Sequence, residues 1–207
     1  MCDNSVVAEP SSAARSALLI VDVQNDFCTG GALAVPGSER VVAALNHYID
    51  DAVARGIPVY ASRDWHPAVT KHFAQYGGPW PVHCVQDTSG AQFRDDLRLP
   101  PSAVVITKGD DAEDHGYSAL EGHTPDGTPF LAALQQAGIT HLYVGGLATD
   151  YCVKHSVLDA RAAGLAVTVL EDAVSGVDLA PGDSAQAIAQ MRQRDATFTA
   201  LNGTLVR

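Results

Sequence analysis

"ALLIVDV" (residues 17–23) holds six apolar residues and a single Asp at position 22. A strand with one wet face alternates apolar and polar residues. This one does not, so it reads as a strand buried on both faces. The same character returns in "IPVYASRD" (57–64), "AVVITKG" (103–109), "HLYVGGLATD" (141–150) and "LAVTVLEDAVSG" (165–176). Between them lie stretches with apolar residues at helical spacing: "SERVVAALNHYIDDAVARG" (38–56), "TPFLAALQQAG" (128–138), "YCVKHSVLDARAAG" (151–164) and "DSAQAIAQMRQRD" (183–195). The first three close on Gly, a frequent helix stop. "ATFTALNGTLV" (196–206) is a short final element. Strands alternating with helices predict an α/β fold with a parallel sheet covered on both faces.

The chain has 207 residues, which fits one large domain. Its formal net charge of −11 argues against nucleic acid or an anionic membrane as partner, since both attract a basic face. Residues 1–16, "MCDNSVVAEPSSAARS", lack the basic start and apolar run of a signal peptide. They read as a flexible N-terminal tail, with 17–207 as the domain and the cytoplasm as the compartment. No stretch approaches the roughly 20 apolar residues of a membrane span. The four cysteines, Cys2, Cys28, Cys84 and Cys152, are scattered, which favours a working thiol over a disulfide framework.

Open parallel sheets bind ligands beyond the carboxyl ends of their strands. Asp22, Asp64, Lys108 and the 147–152 loop all fall at such ends. Singly, Asp22 reads equally as a loop or capping Asp, and Lys108 as a solvated strand end. Together, a buried Asp–Lys pair keeps both groups charged and tunes a third nearby. Cys152 reads either as a small buried hydrophobe or as a thiol at a helix N-terminus. In the second reading the dipole lowers its pKa, free N–H groups can hold an oxyanion, and Thr149 or Asp150 caps the helix.

Residues 65–102 form a long irregular excursion, and such loops in compact domains are usually functional. "RDWHPAVTKHF" (63–73) and "GPWPVHCV" (78–85) supply Asp64, His66, His72 and His83. In an extended chain Asp64 and His66 share a side. One carboxylate and three imidazoles suit one divalent ion, Zn, Fe or Mn, so 64–102 reads as a metal-binding loop region. Cys84 would point away from His83 and is left out. His47, His115, His123, His141 and His155 read as scattered loop or surface histidines. Phe27, Trp80 and Tyr117 read singly as core, but together they could wall a flat aromatic substrate. "GDDAEDHG" (109–116) reads as a solvated acidic loop or part of a lid.

Five segments in order, "LLIVDVQNDFCTGGALAVPG", "RDWHPAVTKHF", "WPVHCVQDTSGAQF", "ITKG" and "GLATDYCVKHSVLDA", resemble the nicotinamidase/pyrazinamidase branch of the isochorismatase-like cysteine hydrolases. "VDVQNDF" indicates the wider superfamily, and the Asp-x-His…His…His set narrows it. The resemblance implies a single-domain three-layer α/β/α sandwich on a six-stranded parallel sheet. It implies a catalytic triad of Asp22, Lys108 and Cys152, and metal ligands Asp64, His66, His72 and His83. Substrate contacts fall on Phe27, Trp80, Tyr117, Leu147 and Tyr151. The oxyanion hole falls on the backbone N–H groups of Ala148 and Cys152, beside a cis Leu147–Ala148 peptide. The implied reaction is hydrolysis of nicotinamide, and of pyrazinamide, through a Cys thioester. The implied partner is a small pyridine carboxamide, whose ring nitrogen the metal takes directly or through its water; homo-oligomerisation stays open. The alternatives are a cysteine amidohydrolase of the superfamily acting on carbamoyl or ureido groups, and a non-catalytic metal- or ligand-binding homologue.

Overall fold

Ala17 to Val21 are wholly out of solvent in the computed structural model, which describes residues 15–205. They belong to β1 (Ser16–Val21), which pairs in parallel with β2 (Val59–Asp64) on one side and β4 (His141–Leu147) on the other. With β3 (Val104–Lys108), β5 (Ala166–Ser175) and β6 (Thr197–Thr199) the sheet has six strands in the order β3-β2-β1-β4-β5-β6, every pairing parallel. Residues 1–14, most of the expected tail, lie outside the described residues. Ser16, counted with that tail, is already the first residue of β1.

Alternation along β1 sends Leu18 and Ile20 to one face of the sheet and Ala17, Leu19 and Val21 to the other. The first face is covered by α1 (Ser38–Arg55), whose Val41, Val42, Leu45, Tyr48, Ile49 and Ala52 recur at helical spacing. Gly56 ends α1 in a left-handed conformation, its N–H bonding back to Ala52 and Val53. The second face carries α2 (Phe130–Gln136), α3 (Lys154–Ala162) and α4 (Asp183–Gln193), through Phe130, Leu134, Val157, Ala160 and Met191. The three-layer sandwich is therefore present. No helix among the described residues is long and apolar enough to cross a membrane.

The chain steps from β1 out to β3 and then returns to the other side of β1 with β4. The strand order thus reverses at β1/β4, where a crevice opens beyond the carboxyl ends. Asp22 follows β1 there, Asp64 and Lys108 close β2 and β3, and Cys152 follows β4. One expectation fails locally. The helix read over 151–164 does not begin at Tyr151: residues Thr149–Val153 form a π-helical turn, and α3 starts at Lys154.

Candidate active site

Lys108 lies at the middle of the site and is buried. Its Nζ is 2.7 Å from Asp22 Oδ2, donates to Asp64 Oδ1, donates to the Gly116 carbonyl at 2.6 Å, and lies 3.6 Å from Cys152 Sγ. The second Asp22 oxygen accepts from Ser62 Oγ at 2.7 Å. Carboxylate oxygens of Asp22 and Asp64 and the Cys152 sulfur lie within 4.8 Å of one another. The register Val21↔Ser62 and Asp64↔Lys108 brings these groups from three strands to one point.

Burial pushes the Asp22 carboxyl up, against the pull of Lys108. Asp64 feels the same burial, but Lys108 and His66 outweigh it and hold its carboxyl below the usual range. Burial opposes the charge on Lys108, yet Asp22 and Asp64 carry its ammonium well above the ordinary lysine value. Cys152 overturns one expectation. Burial, aided by the two carboxylates, drives its thiol well above the ordinary value despite Lys108. Proximity to a helix start does not make it a resting thiolate. Nor do Thr149 or Asp150 cap a helix there; the Asp150 carboxylate accepts from the N–H groups of Val177 and Asp178 instead.

His66, His72 and His83 are buried, and a ring nitrogen of each lies within 4.8 Å of the others. A carbonyl only accepts, so Gly109 O at 2.9 Å from His66 Nδ1 and Pro81 O at 2.8 Å from His83 Nδ1 place protons on both Nδ1 atoms. In the neutral ring this leaves Nε2 as the free acceptor. His66 Nε2 and His72 Nδ1 have no hydrogen-bond partner. Burial and the neighbouring imidazoles push His72 down to about 3, and burial likewise lowers His83, so these rings are neutral at pH 7. Buried neutral imidazoles with bare, converging nitrogens fit a divalent cation, and backbone carbonyls orienting the far nitrogens are the usual support of such ligands. Asp64 Oδ2 lies 3.6 Å from His66 Nε2, so this one carboxylate faces both the imidazoles and Lys108.

Between the thiol and the imidazoles a cleft of about 360 Å³, mouth included, is lined by Phe27, Trp80, Tyr117, Tyr151, Ala148 and Cys152, with Leu33 and Val177. Trp80 Nε1 donates to Tyr117 Oη at 2.8 Å, and the Trp80 ring meets Tyr151 edge-on at 4.7 Å. Phe27 packs 5.4 Å from the His83 ring. Leu147 is the exception among the expected contacts. It is fully buried in the α1-side core and does not line the cleft. The Leu147–Ala148 peptide is cis.

Several residues of the site were not singled out by sequence. The Gln24 amide clamps Asp64, accepting from its N–H at 2.8 Å and donating to its C=O at 2.7 Å. Its position two residues after Asp22 is the only sequence signal for that. Ser62 shares the end of β2 with Asp64. His115, an exposed loop histidine, and His155 both stack on the Tyr117 ring, at 5.9 and 5.2 Å. His141 is also engaged, with ring nitrogens 3.1 Å from Ser16 Oγ and 2.9 Å from Thr168 Oγ1, and His123 pairs with Asp110 at 3.0 Å.

The Isochorismatase domain matches residues 16–202 of the chain. The nicotinamidase of Escherichia coli (strain K12) is 42% identical, over 89% of this chain and 94% of its own length. The crystal structure of pyrazinamidase of Pyrococcus horikoshii in complex with zinc aligns with a TM-score of 0.83 at 38% identity, covering 90% of this chain and 99% of that one. A structure of PnC1 from L. infantum in complex with nicotinate aligns with a TM-score of 0.77 at 30% identity, covering 95% and 98%. The chain therefore belongs to the isochorismatase family, in its nicotinamidase/pyrazinamidase branch.

Proposed function

We propose that the protein is a nicotinamidase that hydrolyses nicotinamide to nicotinate and ammonia, and pyrazinamide likewise. The observation that carries this is the convergence, on one aromatic-walled cleft, of the Cys152–Asp22–Lys108 cluster and the three imidazoles. The relatives' activity and ligands agree with it.

An amide resists water, so a covalent route helps. The buried thiol is a weak acid and Asp22 a strengthened base, which together call for proton transfer in step with attack. Asp22 takes the Cys152 proton as sulfur bonds to the carboxamide carbon. The oxyanion rests on the N–H groups of Ala148 and Cys152. Asp22 returns the proton to nitrogen as the C–N bond breaks, and ammonia leaves a thioester. Water then attacks that carbon, giving its proton to Asp22; the C–S bond breaks, and the proton returns to sulfur. Lys108 stays charged throughout and offsets the negative charge passing between Asp22 and Cys152.

Asp64, His66, His72 and His83 would hold the divalent cation. When bound, it supplies a Lewis-acid docking point for the pyridine nitrogen, a template role rather than a source of hydroxide. The aromatic walls of Trp80, Tyr117, Tyr151 and Phe27 hold the flat ring so that its carboxamide meets the thiol.

Ammonia release from nicotinamide and pyrazinamide, measured on metal-replete, reduced protein, tests the reading. Release from neither overturns it.

A further inference from the structure

The ammonium of Lys108 has three N–H groups and four neighbours able to accept. Three are oxygens at 2.7 Å or closer: Asp22 Oδ2, Asp64 Oδ1 and the Gly116 carbonyl. The fourth, Cys152 Sγ at 3.6 Å, is both farther and a weaker acceptor. Its three N–H groups are aligned on Asp64 Oδ1, the Gly116 carbonyl and the Cys152 sulfur, while Asp22 Oδ2 meets the ammonium as an ion-pair partner without an aligned N–H. Lys108 thus aims one N–H at the thiol. Which N–H reaches the sulfur depends on the Gly116 carbonyl, the one neutral oxygen of the set.

That carbonyl is placed by an unusual backbone contact. Gly109 and Gly116 open and close the acidic loop, and both are left-handed, with φ of +65° and +64°. The two meet back to back. A Cβ on Gly116 would stand 2.5 Å from Gly109 Cα and 2.8 Å from its nitrogen. A Cβ on Gly109 would stand 2.6 Å from His66 Cε1. Neither position has room for a side chain. Meanwhile the two carbonyls point to different halves of the site: Gly109 O to His66 Nδ1 at 2.9 Å, Gly116 O to Lys108 Nζ at 2.6 Å. The loop between them is tied down from outside, with Lys71 N and Thr70 Oγ1 both donating to Ala112 O at 3.1 and 3.0 Å.

We propose that Gly109 and Gly116 form a backbone latch that positions both halves of the site, Gly116 by orienting the Lys108 ammonium and Gly109 by fixing the tautomer of His66. The acidic run 109–116 is thus a strap whose glycine ends do the positioning: Asp114 accepts from the Gly116 N–H at 3.1 Å and Asp111 from the Glu113 N–H at 2.8 Å, while Glu113 and Asp110 pair with Lys71 and His123. The kinetic part of this proposal rests on the amidase reading above; the hydrogen-bonding part does not.

The chain has three lysines, Lys71, Lys108 and Lys154, so side-chain 15N-labelled lysine gives a readable ammonium spectrum. Lys108 is the buried one. In the wild-type protein one ammonium signal should be protected from solvent exchange, as expected for three bonded N–H groups. Gly116→Ala should shift that signal or speed its exchange and lower kcat roughly tenfold or more, with KM changed by less than about threefold. Gly109→Ala should lower the divalent metal bound per chain, because its methyl presses on His66. An unprotected wild-type ammonium overturns the latch, as does a Gly116→Ala protein with an unchanged ammonium signal and unchanged kcat. If Gly116→Ala does not fold, the wild-type spectrum decides. If the wild type turns over no amide yet shows the protected signal and its loss in Gly116→Ala, the amidase reading fails and the latch stands.

Discussion

Lys108 Nζ lies 2.7 Å from Asp22 Oδ2, and neither side chain is exposed to solvent. Two opposite charges held in this way keep each other ionised, while burial leaves Asp22 a stronger base than a surface aspartate. Asp22→Asn removes that base at nearly constant shape. The expected outcome is loss of all but a trace of ammonia release, with bound metal retained because the three imidazoles are untouched. The thermal midpoint should also fall, since Lys108 keeps only Asp64 as a counter-charge; breaking a buried pair outright costs about 3–5 kcal/mol. Near-normal turnover in this variant would remove Asp22 as the base.

Cys152→Ala separates chemistry from architecture. The sulfur is buried beside Lys108, but no backbone hydrogen bond depends on it. The variant should fold, keep its metal and lose turnover. Amidase activity above a trace, measured by ammonia release on protein free of wild-type contamination, would show that sulfur is not the nucleophile.

Much of the site was legible because its parts sit where apolar runs stop. Asp22 follows β1, Asp64 and Lys108 close β2 and β3, and parallel register alone gathers these strand ends. The resemblance then supplied roles that periodicity has no means to assign. What stayed hidden depends on contacts distant in the chain. The Asp150 carboxylate is taken by Val177 and Asp178, so it does not cap the helix that local sequence promised. The Cys152 thiol lies near a helix start, but burial raises it well above the ordinary value, and burial is a tertiary quantity. Leu147 is carried into the core by strand alternation although its neighbour Ala148 lines the cleft. Gln24, His115 and His155 act on Asp64 and Tyr117, partners that no sequence spacing announces.

A third prediction concerns stability in alkali. Tyr48 on α1 donates to the Asp172 carboxylate, 2.7 and 2.9 Å from its two oxygens, and accepts from Leu201 N at 3.0 Å, tying α1 to β5 and the C-terminal segment. Burial and Asp172 push its phenol from 10.0 up to about 12. Between these values the unfolded chain has released a proton that the folded chain still holds. The stabilisation is thus complete below pH 10 and is lost as pH rises towards about 12. Thermal midpoints across this window should fall with pH, and Tyr48→Phe should fall less steeply. Identical slopes would place the alkaline loss elsewhere.

The docking role of the cation can be isolated with a ligand that differs from nicotinamide at one ring atom. Benzamide keeps the flat ring and the carboxamide but has C–H in place of the pyridine nitrogen. The aromatic walls of Trp80, Tyr117 and Tyr151 should accept both rings equally, since stacking needs only a flat face. Any difference in affinity therefore reports on the ring nitrogen and on what His66, His72 and His83 hold. Calorimetric titration of metal-loaded Cys152→Ala, which cannot turn over, should show benzamide weaker than nicotinamide by roughly tenfold or more, a gap of at least about 1.4 kcal/mol. After chelation, nicotinamide should weaken to the level of benzamide while benzamide changes little. Equal affinities in the loaded protein would refute docking through the ring nitrogen. They would leave the imidazole cluster with a structural task alone.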